Sequence, residues 1–477
     1  MSATRSRSQM AFSVISCLFI AELILGYNGR LLLIAGIPVR MVMYGLFGVV
    51  LILMMMEAVY SRQISLSWKS DNSLWRSFEP FDYALAGFLV LNAVWIFVIP
   101  SITGYGVGMA LEQTKSTVLL LLYFPLLILI RTGSIRFGGV DRMIKPCLFV
   151  LAALHVVFYV GEWIRDDGTF VDRFFETVLS VTRGHSEAPD GVMYTLNYYR
   201  IVYPTSLFLL MIFYYTYRDR LTIPNLLFFL AGLTALAVTF AKSLWLGAAA
   251  GVVFLVCYHA IHKLGKFNPK KVAAVVLLTM AVGCLLNVTM LDHYLSLRIR
   301  HAFAVNTAYE TPVVRVVIQE GVNDHLRSLD EWDRSARSNG IRIVQSRVLL
   351  EKWRQSPWFG FGYGSYAEEM IRGPKGQPFL YEMLLPSLLV QIGLIGVLIW
   401  AAFFGYVFWY AGKKAKASAG VLALVAAIVT ASQFNPFILG APAMSMFLYA
   451  LLVIRTAEPD AAASDAAGNE ARPPAGA

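Results

Sequence analysis

The chain has 477 residues, of which 57% are hydrophobic and only 15% are charged, and its formal net charge is +10. A soluble fold could not bury this much apolar surface, and many apolar segments reach the roughly 20 residues that cross a bilayer. The composition therefore excludes a soluble globular protein and predicts an all-α polytopic membrane protein. The basic residues cluster in short loops between apolar spans, so the positive charge does not indicate a nucleic-acid partner.

The N-terminus has the basic flank of a signal peptide. The sequence RSRSQM precedes the apolar stretch AFSVISCLFIAELILGY, but no small-residue cleavage site follows it. We therefore expect an uncleaved first membrane helix.

Hydropathy predicts about twelve transmembrane helices, and the basic loops orient them. When the spans are counted in order, the basic loops fall on one side, as cytoplasmic loops do. These loops are RSRSQ, SRQISLSWKS, RTGSIRFGGVDRMIK, YRDR, HKLGKFNPKK and GKKAKA. Both termini are then predicted to be cytoplasmic.

This orientation predicts two long extracytoplasmic segments. The smaller lies near 165–199, within the first nine spans, which occupy residues 1–291. The larger, residues 292–381, precedes the tenth span, and spans ten to twelve follow in residues 382–456. Residues 457–477 are small, polar and Pro-containing, with nothing to pack, and are predicted to be disordered.

Motifs for metals, nucleotides and transport are weak. The four cysteines lie in apolar spans without CxxC spacing, which indicates neither disulfides nor a zinc site. The stretch GFGYG lacks the Lys and Ser/Thr of a P-loop, and a glycine turn that places aromatic rings at the membrane interface is the better interpretation. We find no persuasive pair of broken helices of the kind that transporters carry. The chain is predicted to use no metal and no cofactor.

The larger extracytoplasmic segment is rich in arginine, whose planar fork suits phosphate. Within it, Val344, Val348 and neighbouring aliphatics repeat at helical spacing in and just before SRVLLEKWRQ, which predicts an amphipathic helix near the membrane surface. Arg347 and Arg354 lie two turns apart on one face of that helix and are candidates for binding a pyrophosphate. An ion pair of Arg347 with Glu351, one turn on, is the alternative. The arginines of the segment include Arg298, Arg300, Arg315, Arg327, Arg334, Arg337, Arg342, Arg347, Arg354 and Arg372.

Glu382 stands directly before the apolar run LLPSLLVQIGLIG, which begins a membrane helix. A carboxylate at the edge of hydrocarbon loses solvation unless another group stabilises it. Two interpretations are open: Glu382 takes part in chemistry, or it caps the helix, where a negative charge favours the macrodipole.

Several motifs together resemble one family. SRVLLEKWRQSPWFGFGYGSY followed by YEMLLPSLLVQIGLIG resembles the signature region of the O-antigen polymerase and O-antigen ligase superfamily, in which an arginine-bearing helix leads into Pro-x-x-Gly-x-Gly and a helix ending Gly-Leu-Ile-Gly. TFAKSLWLGAAAG is similar to the family's span opening Ser-Arg-Gly-Ala-Trp, with Lys242 where the arginine usually stands, and SQFNPFILGAPAMSMFLYALL is similar to its closing hairpin. The resemblance covers the second half of the chain, and the first half only by topology.

The resemblance implies a metal-independent glycosyltransferase of the bacterial inner membrane with its active site facing the periplasm. Such enzymes take a glycan from undecaprenyl pyrophosphate and join it, with inversion, to an acceptor hydroxyl. Ligases use lipid A core as the acceptor, whereas polymerases use another lipid-linked repeat unit. The implied partners are this donor, the glycan acceptor and membrane lipids, with a chain-length regulator as a further partner for a polymerase.

The resemblance also implies roles for residues. Family ligases carry a His-Asn pair whose positions fall on Glu382 and Met383, so a polymerase is preferred to a ligase and Glu382 is the predicted base. Lys242 keeps the charge of the family arginine and, with Arg347 and Arg354, is predicted to bind the pyrophosphate.

Other charged residues are weaker candidates. Arg200, in NYYRIVYPT, is a further candidate pyrophosphate ligand, although arginines between interfacial tyrosines are common anchors. His155 is predicted to make an interhelical hydrogen bond. Four extracytoplasmic histidines are alternative bases: His185, His293, His301 and His325.

A flippase or exporter of lipid-linked oligosaccharides is the alternative from another functional class. Charged residues within the spans and a polar central cavity open to both sides would favour it.

Overall fold

The structure is a computed structural model in which only part of the chain is described. Most of the segment predicted as 165–199, the first part of 292–381, the tail after residue 457 and the four candidate histidines lie outside the described residues. The described residues are 7–26, 33–34, 37–61, 78–135, 137–165, 170–171, 173–174, 192–195, 198–201, 204–220, 222–261, 281, 283–285, 288, 331–371, 377–435 and 437–457.

The first part of the chain is helical, with one two-residue antiparallel ribbon. A π-helical turn, Val94–Val98, joins two of its helices, and a 3₁₀ turn, Lys115–Thr117, joins two others. The elements are α1 (Arg7–Leu25), β1 (Leu33–Ile34), β2 (Ile37–Pro38), α2 (Val39–Tyr60), α3 (Pro80–Ala93), α4 (Ile99–Thr103), α5 (Val107–Thr114), α6 (Val118–Leu121), α7 (Tyr123–Arg131) and α8 (Phe137–Arg165).

The second part begins with another short ribbon, in which β3 pairs antiparallel with β4 and Val192 lies opposite Ile201. A 3₁₀ helix, Pro204–Leu209, then leads into the remaining helices. The elements are β3 (Val192–Thr195), β4 (Tyr198–Ile201), α9 (Leu210–Arg218), α10 (Ile223–Val238), α11 (Lys242–Ile261), α12 (Glu331–Arg354), α13 (Leu384–Gly412), α14 (Ala415–Ser432) and α15 (Ala441–Thr456).

Six helical stretches of the described chain are long and apolar enough to cross a membrane. Four shorter apolar helices accompany them. These findings confirm a polytopic all-α membrane protein, while the count of twelve spans and the placement of the long loops stay predictions. The six stretches are Val39–Tyr60, Pro80–Thr103, Val107–Arg131, Gly138–Ile164, Lys242–Ile261 and Leu384–Gly412, and the shorter helices are Gln9–Leu25, Ile223–Val238, Ser418–Ser432 and Ala441–Thr456.

Helices α11 and α14 pack closely because small residues line their contact. A Cβ atom on Gly247 would lie 2.6 Å from the carbonyl oxygen of Ala427, and one on Gly251 would lie 3.1 Å from that of Ala423. Small residues allow this approach between membrane helices, where dispersion contacts drive association. The pair thereby fixes the position of Lys242, the first residue of α11.

Helix α13 is interrupted at Gly393, whose φ of +62° lies outside the helical region. Residues 356–364, here called the glycine loop, supply hydrogen bonds that the helix lacks there. Phe361 N–H and Gly362 N–H donate to the carbonyls of Val390 and Gln391 at 2.8 and 2.7 Å. Backbone polar groups inside an apolar bundle need protein partners, and the loop provides them. The glycine loop is therefore a turn, as predicted, but its glycines are buried among helices.

Candidate active site at the start of helix α13

Helix α12 packs against the segment that leads into α13. Leu349 is fully buried and forms a small apolar cluster with Tyr381 and Val390, against which Val344 and Val348 pack. The amphipathic helix predicted from the spacing of Val344 and Val348 is thereby confirmed. Its buried face fixes the distance between α12 and the start of the membrane helix.

Glu382 forms an ion pair with Arg342 of α12. Its Oε2 lies 2.8 Å from the Arg342 Nε, and the two side chains are 28% and 25% exposed. Arg342 also donates through Nη1 to Asn339 Oδ1 at 3.3 Å. The guanidinium supplies the electrostatic stabilisation that a carboxylate at the edge of hydrocarbon requires, and the partial exposure leaves the carboxylate accessible from one side.

Backbone groups at the start of α13 are held by other residues. The fully buried Gln345 accepts, through Oε1, hydrogen bonds from the N–H groups of Glu382 and Met383 at 3.1 and 3.2 Å. The N–H of Leu384 donates to the carbonyl of Gln433 at 3.2 Å. No described side chain makes a capping hydrogen bond at the N-cap position, Met383. Glu382 therefore makes no capping hydrogen bond, while a favourable interaction of its charge with the helix macrodipole stays a prediction.

The start of α11 lies beside the same region. Asn435 Nδ2 donates a hydrogen bond to Ser243 Oγ at 2.5 Å. Two residues before Asn435, the carbonyl of Gln433 accepts the hydrogen bond from Leu384 at the start of α13. Hydrogen bonds thus join Ser243, the turn after α14 and Leu384. Lys242, next to Ser243, is half-buried. Three stretches singled out in the sequence, TFAKSLWLG, SQFNPF and YEMLL, therefore converge.

A strained turn sets the position of Lys242. Phe240 has a φ of +46° and is, among the described residues, the only non-glycine residue with a positive φ. It is fully buried, and the preceding Thr239 accepts through Oγ1 a hydrogen bond from Ala241 N–H at 3.2 Å. A bulky residue adopts this conformation only when its surroundings enforce it, and such strain clusters at functional sites.

Arg347 and Arg354 lie on the opposite side of α12. Both are exposed, as are Ile343 and Leu350 on the same face. At 100° per residue, Arg347 is rotated by about 140° from Arg342 around the helix axis. The structure thus brings Arg342, rather than Arg347 or Arg354, to Glu382.

The other predicted residues are more dispersed. Arg200 lies in β4, where its register partner is Met193. His155 is fully buried, with Nε2 at 2.7 Å from Ser206 Oγ and Nδ1 at 2.8 Å from the Leu151 carbonyl, which confirms the predicted interhelical hydrogen bond. Within the described part of the chain, no group of three or more His, Cys, Asp or Glu residues could hold a metal ion.

Sequence reasoning included Arg342 only as one of many arginines and did not select Gln345. Both are polar residues on the face of α12 that also carries the buried Leu349. A polar side chain on a buried face is more informative than an arginine on an exposed face. That pattern is the feature of the sequence that could have identified both residues.

Comparison with known proteins finds one family over part of the chain. The family model for O-antigen ligase matches residues 226–401, which include Lys242, Arg342, Gln345 and Glu382. No curated protein and no solved structure matches the chain. Residues 226–401 of the chain are therefore similar to the O-antigen ligase family.

Proposed function

We propose that the protein is a glycosyltransferase of the bacterial inner membrane that acts at the periplasmic face. It takes a glycan from undecaprenyl pyrophosphate and joins it to a sugar hydroxyl with inversion, polymerising O-antigen or exopolysaccharide repeat units. The observation that carries this proposal is the Glu382 carboxylate, which is paired with Arg342 at 2.8 Å and lies at the start of an apolar helix inside the O-antigen ligase match.

In the proposed reaction, Glu382 acts as the general base. The acceptor hydroxyl gives its proton to the carboxylate while its oxygen forms a bond to the anomeric carbon of the donor. The bond from that carbon to the pyrophosphate oxygen breaks on the opposite face, which inverts the configuration. The sugar carbon gains oxocarbenium character during this step, as it does in glycosidases that use carboxylates.

Pyrophosphate leaves as an anion, and the charge that builds on it needs stabilisation. Lys242 begins α11, so its ammonium group stands at the positive end of a helix macrodipole. Preorganised positive charge of this kind stabilises a leaving group most strongly where water is partly excluded. We assign the donor pyrophosphate to the Lys242 region, with Arg347, Arg354 and Arg200 as further candidate ligands from the outer surface.

Ligation to lipid A core is the second candidate function. The description of the matching family as O-antigen ligase favours it. The carboxylate of Glu382, at the position where family ligases carry histidine, favours polymerisation. Both reactions use the same donor and differ in the acceptor.

The acceptor can be identified with purified protein reconstituted in vesicles. The donor is the undecaprenyl pyrophosphate-linked glycan isolated from host membranes, tested with and without lipid A core. A ladder of longer lipid-linked chains in the absence of core supports the polymerase. Product that appears only with lipid A core supports the ligase. Movement of the donor across the bilayer without glycan transfer would indicate an exporter and overturn the proposal.

A further inference from the structure

Gln345 presents an unsatisfied donor beside Glu382. Its Oε1 accepts two backbone N–H groups, so the orientation of the amide is fixed by hydrogen bonding. The NH₂ group must then point away from that backbone. Nε2 is buried and has no hydrogen-bond partner among the described residues, in a side chain that is fully buried. Native proteins rarely leave such a group unmatched unless a ligand or water completes it.

Arg342 lies at the same place and holds the carboxylate of Glu382. It precedes Gln345 by three residues, which puts both side chains on one face of α12. Its Nε lies 2.8 Å from Glu382 Oε2 in an ion pair, so this N–H is directed to the carboxylate and holds it in place. One donor that lacks a partner among the described residues, Gln345 Nε2, and one carboxylate paired with a guanidinium therefore lie together at the start of α13.

The chemistry of these three groups selects one kind of ligand. A group that binds between the Glu382 carboxylate and the Gln345 NH₂ donor must both donate and accept hydrogen bonds, as a hydroxyl does. A pyrophosphate oxygen at neutral pH has no proton to give and would be repelled by Glu382. The arrangement thus fits a sugar hydroxyl better than the donor's anionic group.

We propose that Arg342, Gln345 and Glu382 form the subsite for the acceptor hydroxyl, in which Gln345 Nε2 donates to the hydroxyl oxygen. This inference rests on the proposed glycosyltransferase function. The hydroxyl proton passes to Glu382, one lone pair of the oxygen accepts from Gln345, and another forms the bond to the anomeric carbon. Gln345 is both a positioning residue for the Glu382 backbone and a direct ligand of the acceptor.

Two variants separate these roles of Gln345. Gln345→Met keeps the length of the side chain but removes the acceptor oxygen and the NH₂ donors. Gln345→Glu keeps oxygens that accept from Glu382 and Met383 but removes the donors. Gln113→Met is the matched control, because Gln113 Oε1 likewise accepts a loop N–H, from Gly364 at 2.6 Å, at a different place.

The experiment measures three quantities in vesicles: equilibrium binding of the lipid-linked donor, extended glycan, and free glycan released when water replaces the acceptor. We expect both Gln345 variants to bind donor as the wild type does while the ratio of extended to free glycan falls roughly ten- to a hundredfold, the effect of one hydrogen bond near charged groups. Gln113→Met should leave that ratio unchanged.

The outcomes distinguish the two proposals. If the wild type transfers glycan but Gln345→Glu keeps its product ratio, whatever Gln345→Met does, the acceptor subsite is overturned and the proposed function stands. Equal losses of donor binding and of both products would reduce Gln345 to a structural residue and also overturn the subsite. A wild-type protein that transfers no glycan under any acceptor would instead contradict the proposed function.

Discussion

The backbone N–H of Tyr363 donates a 2.9 Å hydrogen bond to the carbonyl of Trp95, which joins the glycine loop to the π-helical turn between α3 and α4. The Trp95 indole N–H donates in return to the carbonyl of Phe359 at 2.8 Å. The same loop also bonds to the interrupted part of α13. Because irregular backbone inside an apolar bundle needs protein partners, the loop and the two interrupted helices stabilise one another.

This relationship predicts that the glycine loop does not tolerate a side chain at Gly362. Gly362 has φ +89°, and a Cβ atom there would lie 2.4 Å from Pro100 Cγ. Gly362→Ala therefore combines backbone strain with overpacking, and we expect a loss of roughly 1–3 kcal/mol of unfolding free energy. Thermal unfolding of the detergent-solubilised protein measures it.

Gly405→Ala is the control for this prediction. Gly405 lies within α13, and a Cβ atom there would meet nothing within 4 Å. We expect this substitution to leave the melting temperature unchanged or slightly raised, because alanine is the better helix former. Equal melting temperatures for the two variants would show that the loop is not tightly packed.

Local features of the sequence predicted a substantial part of the structure. Hydropathy located the helix that starts directly after Glu382, and the spacing of Val344 and Val348 predicted α12. These patterns depend on neighbouring residues, so they can be read from one segment. The interruption at Gly393 and the π-helical turn at Trp95 could not be predicted, because the hydrogen bonds that stabilise them come from a loop distant in sequence.

The candidate site shows a similar limit. Spacing correctly places Arg347 and Arg354 on one face of a helix, but it does not say which face turns toward Glu382. That choice depends on the packing of Leu349 against Tyr381 and Val390, a tertiary contact. The sequence therefore identified the carboxylate, whereas its partner Arg342 emerged only from the packing.

A buried ion pair joins α3 and α15 near the end of α13 that lies farthest from Glu382. Arg455 Nε lies 3.1 Å from both carboxylate oxygens of Asp82, whose side chain is 1% exposed. Asp82→Asn leaves a buried guanidinium without this charge partner, although Glu79 at 2.7 Å remains. We expect a loss of roughly 3 kcal/mol, measured by chemical or thermal unfolding. The double variant Asp82→Asn with Arg455→Gln should recover part of this lost unfolding free energy. If its loss equals the sum of the losses of the two single variants, the two residues are not coupled.

The stability of the part of the bundle around Asp82 and Arg455 should depend on pH through Glu79. Burial raises the pKa of Glu79, but a 2.6 Å hydrogen bond from Tyr410 and the charges of Arg455, Lys414 and Arg131 outweigh it, so the pKa lies below its ordinary value of 4.5. A carboxylate with a lowered pKa stabilises the folded state above its unfolded pKa and loses that contribution as pH falls. Melting temperatures should therefore decline on acidification below pH 4.5, and Glu79→Gln should be less stable at neutral pH and show a shallower decline. An unchanged acid profile in the variant would exclude this role.

Lys242 tests the assignment of the donor pyrophosphate. Lys242→Ala should weaken both donor binding and turnover, whereas Lys242→Arg should retain much of each, because the positive charge survives. Arg347→Ala should also weaken donor binding if the exposed face of α12 meets the donor headgroup. Lys413→Ala, in the turn after α13, is the control and should bind donor normally. Alanine variants that bind undecaprenyl pyrophosphate-linked glycan as the wild type does would remove Lys242 and Arg347 from the site.

Glu382 is the residue on which the proposed reaction depends. Glu382→Gln keeps the shape of the side chain but cannot accept a proton, so transfer should fall by roughly the hundred- to ten-thousandfold typical of a general base. The protein should still fold and bind donor, because a partly exposed ion pair contributes at most about 1 kcal/mol. Glu351→Gln, on the exposed surface of α12, is the matched control and should transfer normally.

The remaining substitutions at Glu382 separate a base from a residue that only orients Arg342. Glu382→Asp keeps the carboxylate but withdraws it by one methylene, so its activity should fall between those of the wild type and Glu382→Gln. Glu382→His restores the residue that family ligases place here and should recover part of the activity. A residue that only held the guanidinium would behave differently, because an uncharged imidazole attracts Arg342 no better than an amide does. Chain extension in membranes with equal amounts of each variant decides between the two roles, and a fully active Glu382→Gln protein would rule out the base.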